Sequence, residues 1–330
     1  MRNVTQNQPD PARRLFLALG AATALGPANV MAQGFPNRPV RVLVGTPAGG
    51  LADIVARVLA HGLSDSMGQP FVVENRAGAA GVIAADAVAK APPDGHTLLA
   101  ATDSMAAVNQ FVYPKMPYDP DKDLQSVAML GKATLVLVAH PDLPAKSLNA
   151  FIQLVRSRPN AYNYSSGGPG HPLHLAMELL LQRLGLAMGH VPYKGAAPAV
   201  QGLLGAEVQA MIVGAAEALP HIKVGKLVPL AATGPSAEEL FPSLPQLKSL
   251  HRDLDISPWF ALFAPARTSP QTVAALNAAV NQYLKSTEAQ KRLAEIGIKP
   301  VPLSPTELDA LVAAERKVYG PLVKSLGITP

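Results

Sequence analysis

The sequence predicts an α/β fold in two domains. Short β-branched runs alternate with longer helical patterns, no internal repeat interrupts them, and 330 residues exceed one ordinary domain. The first strand is the apolar run over 40–44, followed by a Gly/Pro turn and an amphipathic helix over 52–67. Runs over 71–73, 97–100, 134–139, 211–213, 228–232 and 260–263 read as further strands. Helical periodicity covers 81–91, 147–158, 172–184, 198–204 and 270–285, with most prolines at the boundaries. Two segments read as crossovers between the domains, 139–147 and 257–266. They assign residues 33–139 with 258–330 to the first domain and 140–257 to the second, with a ligand cleft between them.

Residues 1–32 read as an export signal: Arg2, Arg13 and Arg14 form a basic front, 15–25 is a short apolar run, and Val30-Met31-Ala32 offers a small-residue cleavage site before Gln33. The run is too short and too broken by Gly20, Gly26 and Pro27 for a spanning helix of about 20 apolar residues. A periplasmic location follows. Arg13-Arg14-Leu-Phe-Leu resembles a twin-arginine signal from which Ala12 and Ala18 depart, so the export route stays open between the general and the twin-arginine pathway.

The formal charge is +5, and about +3 once the signal with its three arginines and Asp10 is removed. The charges are scattered without a basic run or interleaved aromatics, which argues against nucleic-acid binding. The absence of Cys excludes disulfides, thiolate metal sites and a cysteine nucleophile, so stability must come from the core.

The segment Gly45-Thr46-Pro47-Ala48-Gly49-Gly50, running into a helix with Asp53 in its first turn, reads as an anion cradle. A helix start leaves backbone N–H groups without intrahelical partners beside the positive end of the dipole, which suits a carboxylate or phosphate. A nucleotide P-loop is excluded, because Leu51 and Ala52 stand where Lys and Ser/Thr are required. Asp53 is either a cap and dipole partner or a contact for an ammonium group or bridging water.

The cradle is followed by Gly68-Gln-Pro-Phe-Val-Val-Glu-Asn-Arg76-Ala-Gly78 and Ala87-Val-Ala-Lys-Ala-Pro-Pro-Asp-Gly95-His-Thr-Leu98. Later come Tyr113 to Pro120, Tyr164 to Leu175, Val191 to Ala199, Gly225-Lys-Leu227 and Ala264-Pro265. Together, over nearly the whole chain after the signal, these resemble the Bug-type receptors of tripartite tricarboxylate transporters. The resemblance implies a fold of the periplasmic binding protein class (type II-like), two α/β domains hinged around a carboxylate. It implies a small organic acid ligand (di- or tricarboxylate, amino acid or aromatic acid), no catalysis, no cofactor, no metal, a monomer, and delivery to membrane permease subunits. Mapped onto this sequence, the ligand-binding residues are Thr46, Pro47, Ala48, Gly49, Gly50 and Asp53, then Thr102, Asp103 and Ser104 with Asn109 downstream. The second domain adds Ser166, Gly170 and His171 in the loop Ser165 to His171, which opens a helix at Pro172. Two helix starts facing each other suit a ligand with two separated acidic groups.

Departures from the family pattern are part of the expectation. Gly45-Thr46 stands where relatives usually carry Pro-Phe, which predicts a larger or more polar cavity. His171 replaces a usual Ser or Thr, which predicts a bulkier donor or a positive charge below pH ~6.5. Gln209 stands where Asp is common, and Pro245 to Leu250 departs from a common acidic stretch.

The sequence also offers three rival readings. His171, His174 and Glu178 have zinc-compatible helical spacing, but no further ligand accompanies them, and the resemblance places His174 in a helix that packs on its own domain. Ser165, Ser166 and His171 offer a nucleophile and base for a secreted serine hydrolase, yet no Gly-x-Ser-x-Gly elbow exists. A receptor of this kind also suits sensing, presenting its closed form to a membrane histidine kinase in place of a permease.

Overall fold

A computed structural model describes residues 34–329. The expected export signal lies outside the described residues. Among them, no helix is long and apolar enough to cross a membrane.

The chain opens with β1 (Val40–Val44), α1 (Leu51–Met67), β2 (Phe71–Asn75), α2 (Val82–Ala89) and β3 (Thr97–Thr102). In β1, Val42 and Val44 face one apolar cluster and Leu43 the other, as a period-2 strand covered on both sides requires. Helix α1 follows because Ala52, Val55, Ala56, Leu59 and Leu63 recur at helical spacing and bury one face. Each buried Val or Leu side chain contributes roughly 1.5–3 kcal/mol against its exposed state. After β3 come a π-helical turn (Ser104–Val108), the short α3 (Asn109–Val112) and β4 (Leu124–Ala133).

The second lobe contains β5 (Leu135–Ala139), α4 (Leu148–Ser157), β6 (Asn163–Ser166), α5 (Pro172–Leu184), β7 (Gly189–Pro192), α6 (Ala196–Leu204), β8 (Ala210–Gly214), α7 (Ala215–Lys223), β9 (Val228–Thr233) and α8 (Ala237–Leu240). The chain then returns through β10 (Trp259–Pro265), α9 (Pro270–Leu284), α10 (Thr287–Glu295), β11 (Ile298–Lys299) and α11 (Pro305–Leu326). Helix α11 opens with a capping box: Ser304 Oγ accepts the Glu307 N–H and Glu307 Oε2 accepts the Ser304 N–H.

One sheet has the order β11-β4-β10-β3-β1-β2 and the other β7-β6-β8-β5-β9. Strands β1, β2 and β3 run parallel, as do β6, β7 and β8, whereas β10 and β5 are antiparallel to their neighbours. The result is two α/β domains, as the sequence predicts.

The passage between sheets differs from the expected one. Residues Leu135–Ala139, placed in the first domain by the sequence, form the buried β5 between β8 and β9 of the second sheet. The outgoing crossover is therefore Ala133-Thr134-Leu135, not 139–147. Strand β4 hides this point from the sequence, because Gln125, Ser126, Gly131 and Lys132 interrupt its apolar pattern. The return falls at Ser257-Pro258, since Trp259 already pairs with Lys132.

The two crossovers lie side by side. The Ala133 N–H donates to the Pro258 carbonyl at 2.8 Å, and Ser257 Oγ donates to the Ala133 carbonyl at 2.5 Å. Gly234 packs on them with φ +102°, and a Cβ there would stand 2.8 Å from the Ala133 oxygen and 3.1 Å from Thr134 Cα, so only glycine fits.

Candidate functional site

Strand direction decides where the lobes meet. The registers Phe260↔Thr102 and Trp259↔Lys132 bring the carboxyl ends of β3 and β4 to the same edge as the start of β10. In the second sheet, Leu135 stands opposite both Gly214 and Thr233, so the ends of β8 and β9 share the edge where β5 begins. The parallel partners β1, β2, β6 and β7 end on the same edges. Their loops face each other across the crossovers, where open α/β sheets place ligands.

In the first lobe the loop after β1 opens α1, whose N-cap Gly50 provides no side-chain cap. Thr46 Oγ1 is buried with no hydrogen-bond partner among the described residues, and it lies 3.4 Å from where a Cβ on Gly50 would be. An unused hydroxyl thus lies beside an uncapped helix start, at the positive end of the dipole.

The shape of this loop is set by Asp53. Its Oδ2 accepts from the Gly49 N–H at 2.9 Å and Arg57 Nε at 3.0 Å, and its Oδ1 accepts from Asn75 Nδ2 at 2.9 Å. Asn75 Nδ2 also donates to the Thr46 carbonyl at 3.0 Å, and Arg57 Nη2 to Asn75 Oδ1 at 3.1 Å. Burial alone would raise the Asp53 carboxyl, but the Arg57, Gly49 and Asn75 donors outweigh it and hold it below the usual range. Of the two roles weighed for Asp53, the geometry supports the internal brace.

Gly45 contributes close approach. A Cβ at this position would stand 2.5 Å from Gly81 Cα and 2.8 Å from Met105 Cε. Gly81 and Met105 therefore pack directly against Gly45, while Thr46 places a hydroxyl in the loop. The segment carrying Gly81 is itself unusual: Gly78, Ala79, Ala80 and Gly81 all have positive φ, and Asn109 Nδ2 holds the Ala80 carbonyl at 3.0 Å. Two alanines in the left-handed region cost on the order of 1–3 kcal/mol each, a strain typical of functional loops.

Thr102, Asp103 and Ser104 lie behind the loop. Asp103 and Ser104 are buried, and Asp103 Oδ1 accepts from the Ser104 N–H at 2.8 Å, starting the π-helical turn. Burial raises the Asp103 carboxyl. It also raises Glu315 on α11, helped by the charge of Asp103 and opposed by Trp259 Nε1, which donates to Glu315 Oε2 at 2.8 Å.

In the second lobe the loop after β6 is bonded to itself. Ser166, with 0% exposure, shares its Oγ with His190 Nε2 at 2.7 Å and accepts the Gly168 N–H at 3.2 Å. The Gly170 N–H donates to His174 Nδ1 at 3.1 Å, and the Leu173 N–H to His171 Nδ1 at 3.2 Å. His171 thus caps its own helix as a neutral ring. Burial pushes it down to about 4, so the positive charge expected below pH ~6.5 does not form until far stronger acid. Tyr164, His190 and His174 stack with centroid separations of 5.0 and 4.0 Å, and the Tyr164 hydroxyl donates to Glu178. These partners occupy the groups considered for zinc. Among the described residues no group of three or more His, Cys, Asp or Glu is arranged to hold a metal ion. Complete burial and full bonding of Ser166 also leave it unexposed as a nucleophile.

Sequence reasoning missed Asn75, Arg57, the strained segment Gly78–Gly81 and Met105. The glycine pair in Asn-Arg-Ala-Gly-Ala-Ala-Gly was the available signal for the third. Asn75 and Met105 carried none, because sheet pairing and the π-helical turn bring them to the loop.

Two α/β lobes joined by paired crossovers, with helix-start loops on the facing edges, define the class of periplasmic binding-protein folds. The chain belongs to the tripartite tricarboxylate transporter receptor family, whose profile ("Tripartite tricarboxylate transporter family receptor") matches residues 55–328. BugT from Bordetella pertussis is 39% identical over 95% of this chain and 98% of that protein. An R. palustris protein solved with adipate is 33% identical with a TM-score of 0.77, covering 89% of this chain and 98% of its own. MatC from Rhodopseudomonas palustris, solved with bound malate, is 32% identical with a TM-score of 0.74, covering 88% and 100%. The family is a substrate-binding receptor type.

Proposed function

We propose that this protein is an exported receptor that closes its lobes on a small organic carboxylate and presents it to the membrane subunits of a tripartite permease. The observation that carries this reading is the uncapped start of α1, with Thr46 Oγ1 buried and unpartnered beside it. The contact set is Thr46, Pro47, Ala48, Gly49 and Gly50, with Thr102, Asp103 and Ser104 behind it and Ser166, Gly170 and His171 opposite; Asp53 acts by holding the loop. Adipate and malate in the two related structures support a carboxylate as the ligand class. Hinge motion at Ala133–Leu135 and Ser257–Pro258 supplies closure and the signal that a partner reads.

The test is thermal unfolding of the chain from Gln33, stripped of ligand, against mono-, di- and tricarboxylates, aromatic acids and acidic amino acids. A ligand at 100 times its Kd stabilises by about 2.7 kcal/mol, a shift of a few degrees for a protein of this size. A selective shift that is reduced in Thr46→Val supports the reading. An identical shift in Thr46→Val removes the loop from the site, and no shift with any acid sinks the carboxylate reading.

A further inference from the structure

Helix α11 belongs to the first lobe, yet its end reaches the second. Its start is capped by Ser304, and Asn277 Nδ2 on α9 holds the Leu303 carbonyl at 3.0 Å. At mid-length Glu315 Oε2 accepts from Trp259 Nε1 beside the returning crossover, and Arg316 Nε donates to the Ala106 carbonyl at 3.1 Å. Past this point the helix changes partners. Gly320 lets the Phe111 ring approach, since a Cβ there would stand 2.9 Å from it, and Pro321 has no N–H for the Lys317 carbonyl. The last turn packs on α5 of the second lobe, where Gln182 Nε2 donates to Ser325 Oγ at 3.4 Å.

The end of the helix aims one side chain. Gly327 takes φ +60°, its N–H reaches the Lys324 carbonyl, and the Ile328 N–H returns to the Val323 carbonyl. These two bonds make a Schellman turn, which folds the residue after the glycine back on the helix end. Ile328 Cγ2 then lies 3.6 Å from where a Cβ on Gly170 would be, and the side chain of Val112 lies 3.8–4.0 Å from the same point. Gly170, in the candidate ligand loop of the second lobe, therefore lies against two apolar side chains of the first.

This contact is remote from the hinge. The stretch from Glu315 to Ile328 runs roughly 15–20 Å along the chain away from the returning crossover. A lobe rotation of about 10° displaces a point that far out by roughly 3 Å, which removes a van der Waals contact.

We propose, resting on the receptor reading above and its hinge, that Ile328 is a positioning residue: with Val112 it latches the loop 167–171 to the first lobe, and the lobes open when this contact breaks. Part of the closed population, and so of the affinity for an organic acid, is then set before any ligand arrives.

The chain has no Cys, so introduced cysteine pairs take spin labels at those positions alone. The experiment measures ligand-free distance distributions for Gln153→Cys on α4 paired with Ser66→Cys on α1 or Ala275→Cys on α9, all exposed positions. Ile328→Ser, and a chain ending at Gly327, are expected to shift at least one distribution by roughly 3 Å. Both are also expected to weaken several-fold whichever of adipate and malate binds the wild type, and Ile328→Leu to behave as wild type. Distances unchanged in both variants overturn the latch, whatever the acids do. Shifted distances with unchanged affinity reduce Ile328 to packing and overturn its positioning role. Failure of wild type to bind either acid counts against the receptor reading alone, and the distances still decide the latch.

Discussion

Ser257 donates its hydroxyl to the carbonyl of Ala133 at 2.5 Å, tying the strand that leaves the first lobe to the one that re-enters it. Both residues are buried, and Ala133 also donates its N–H to Pro258, so each crossover is fixed by the other. Thr134 follows Ala133 at this crossover and is bonded to the second lobe. The Thr134 carbonyl accepts the Ala215 N–H, and its Oγ1 accepts the Ser236 N–H.

Ser257→Ala removes the buried donor without adding bulk. It is expected to lower unfolding stability by about 1–2 kcal/mol and to speed hydrogen exchange of the amides around 133–135. Urea melts and exchange mass spectrometry measure both. Unchanged values in both would show that the Pro258 bond alone fixes the crossovers.

Gly45→Ala tests the close contact under the cradle. Met105 can move away from the new methyl, but Gly81 Cα is backbone and cannot move without shifting the strained segment 78–81. The variant is expected to lose about 1–3 kcal/mol and to bind organic acids several-fold more weakly, since the loop carries the helix start. Wild-type stability and affinity would mean that the 78–81 segment yields freely, contrary to its bond from Asn109.

The parts of this molecule that were legible in the sequence are those whose signals are local. Val40–Val44, the glycines before α1 and Pro172 at the start of α5 identify themselves by periodicity or by helix-start chemistry. Ser304-Pro-Thr-Glu307 carries an equally local capping signal for α11. Other features depend on distant partners. Asn75 braces Asp53 only because β1 and β2 pair in parallel, and β4 reads poorly because its polar positions sit inside a sheet between β10 and β11. His171 was legible as a residue of note, but its neutrality is a product of burial that no spacing reveals.

Asp53→Asn replaces an acceptor of three hydrogen bonds by a group with one acceptor. A loss of roughly 1.5–3 kcal/mol at pH 7 is expected, toward the lower end because Arg57 is half exposed. The Asp53 carboxyl is depressed in the folded protein, so its stabilisation is present above the unfolded value of about 3.9 and is lost as pH falls through the folded one. The gap between wild type and variant in urea melts should therefore shrink below pH ~4. Since Asp53 acts through the loop, acids with and without an amino group should weaken alike; selective loss of amino acids would make it a ligand contact.

Glu315→Gln probes the acid pair behind the cleft. Burial, together with the charge of Asp103, raises the Glu315 carboxyl in the folded state. A raised carboxyl favours folding below the unfolded value of about 4.3, and that benefit is lost as pH rises through the folded value. Glutamine keeps an acceptor for Trp259 Nε1 but has no charge to bury. The variant is expected to match wild type within about 1 kcal/mol near pH 4.5 and to exceed it at pH 8, with the crossover set by the pair and not by Glu315 alone. Trp259 is completely buried and is the only tryptophan, so its fluorescence follows the same unfolding transition at both pH values. If glutamine instead destabilises more at pH 8 than at pH 4.5, the ionised carboxylate is what Trp259 needs, and α11 holds the returning crossover through a charge-assisted bond.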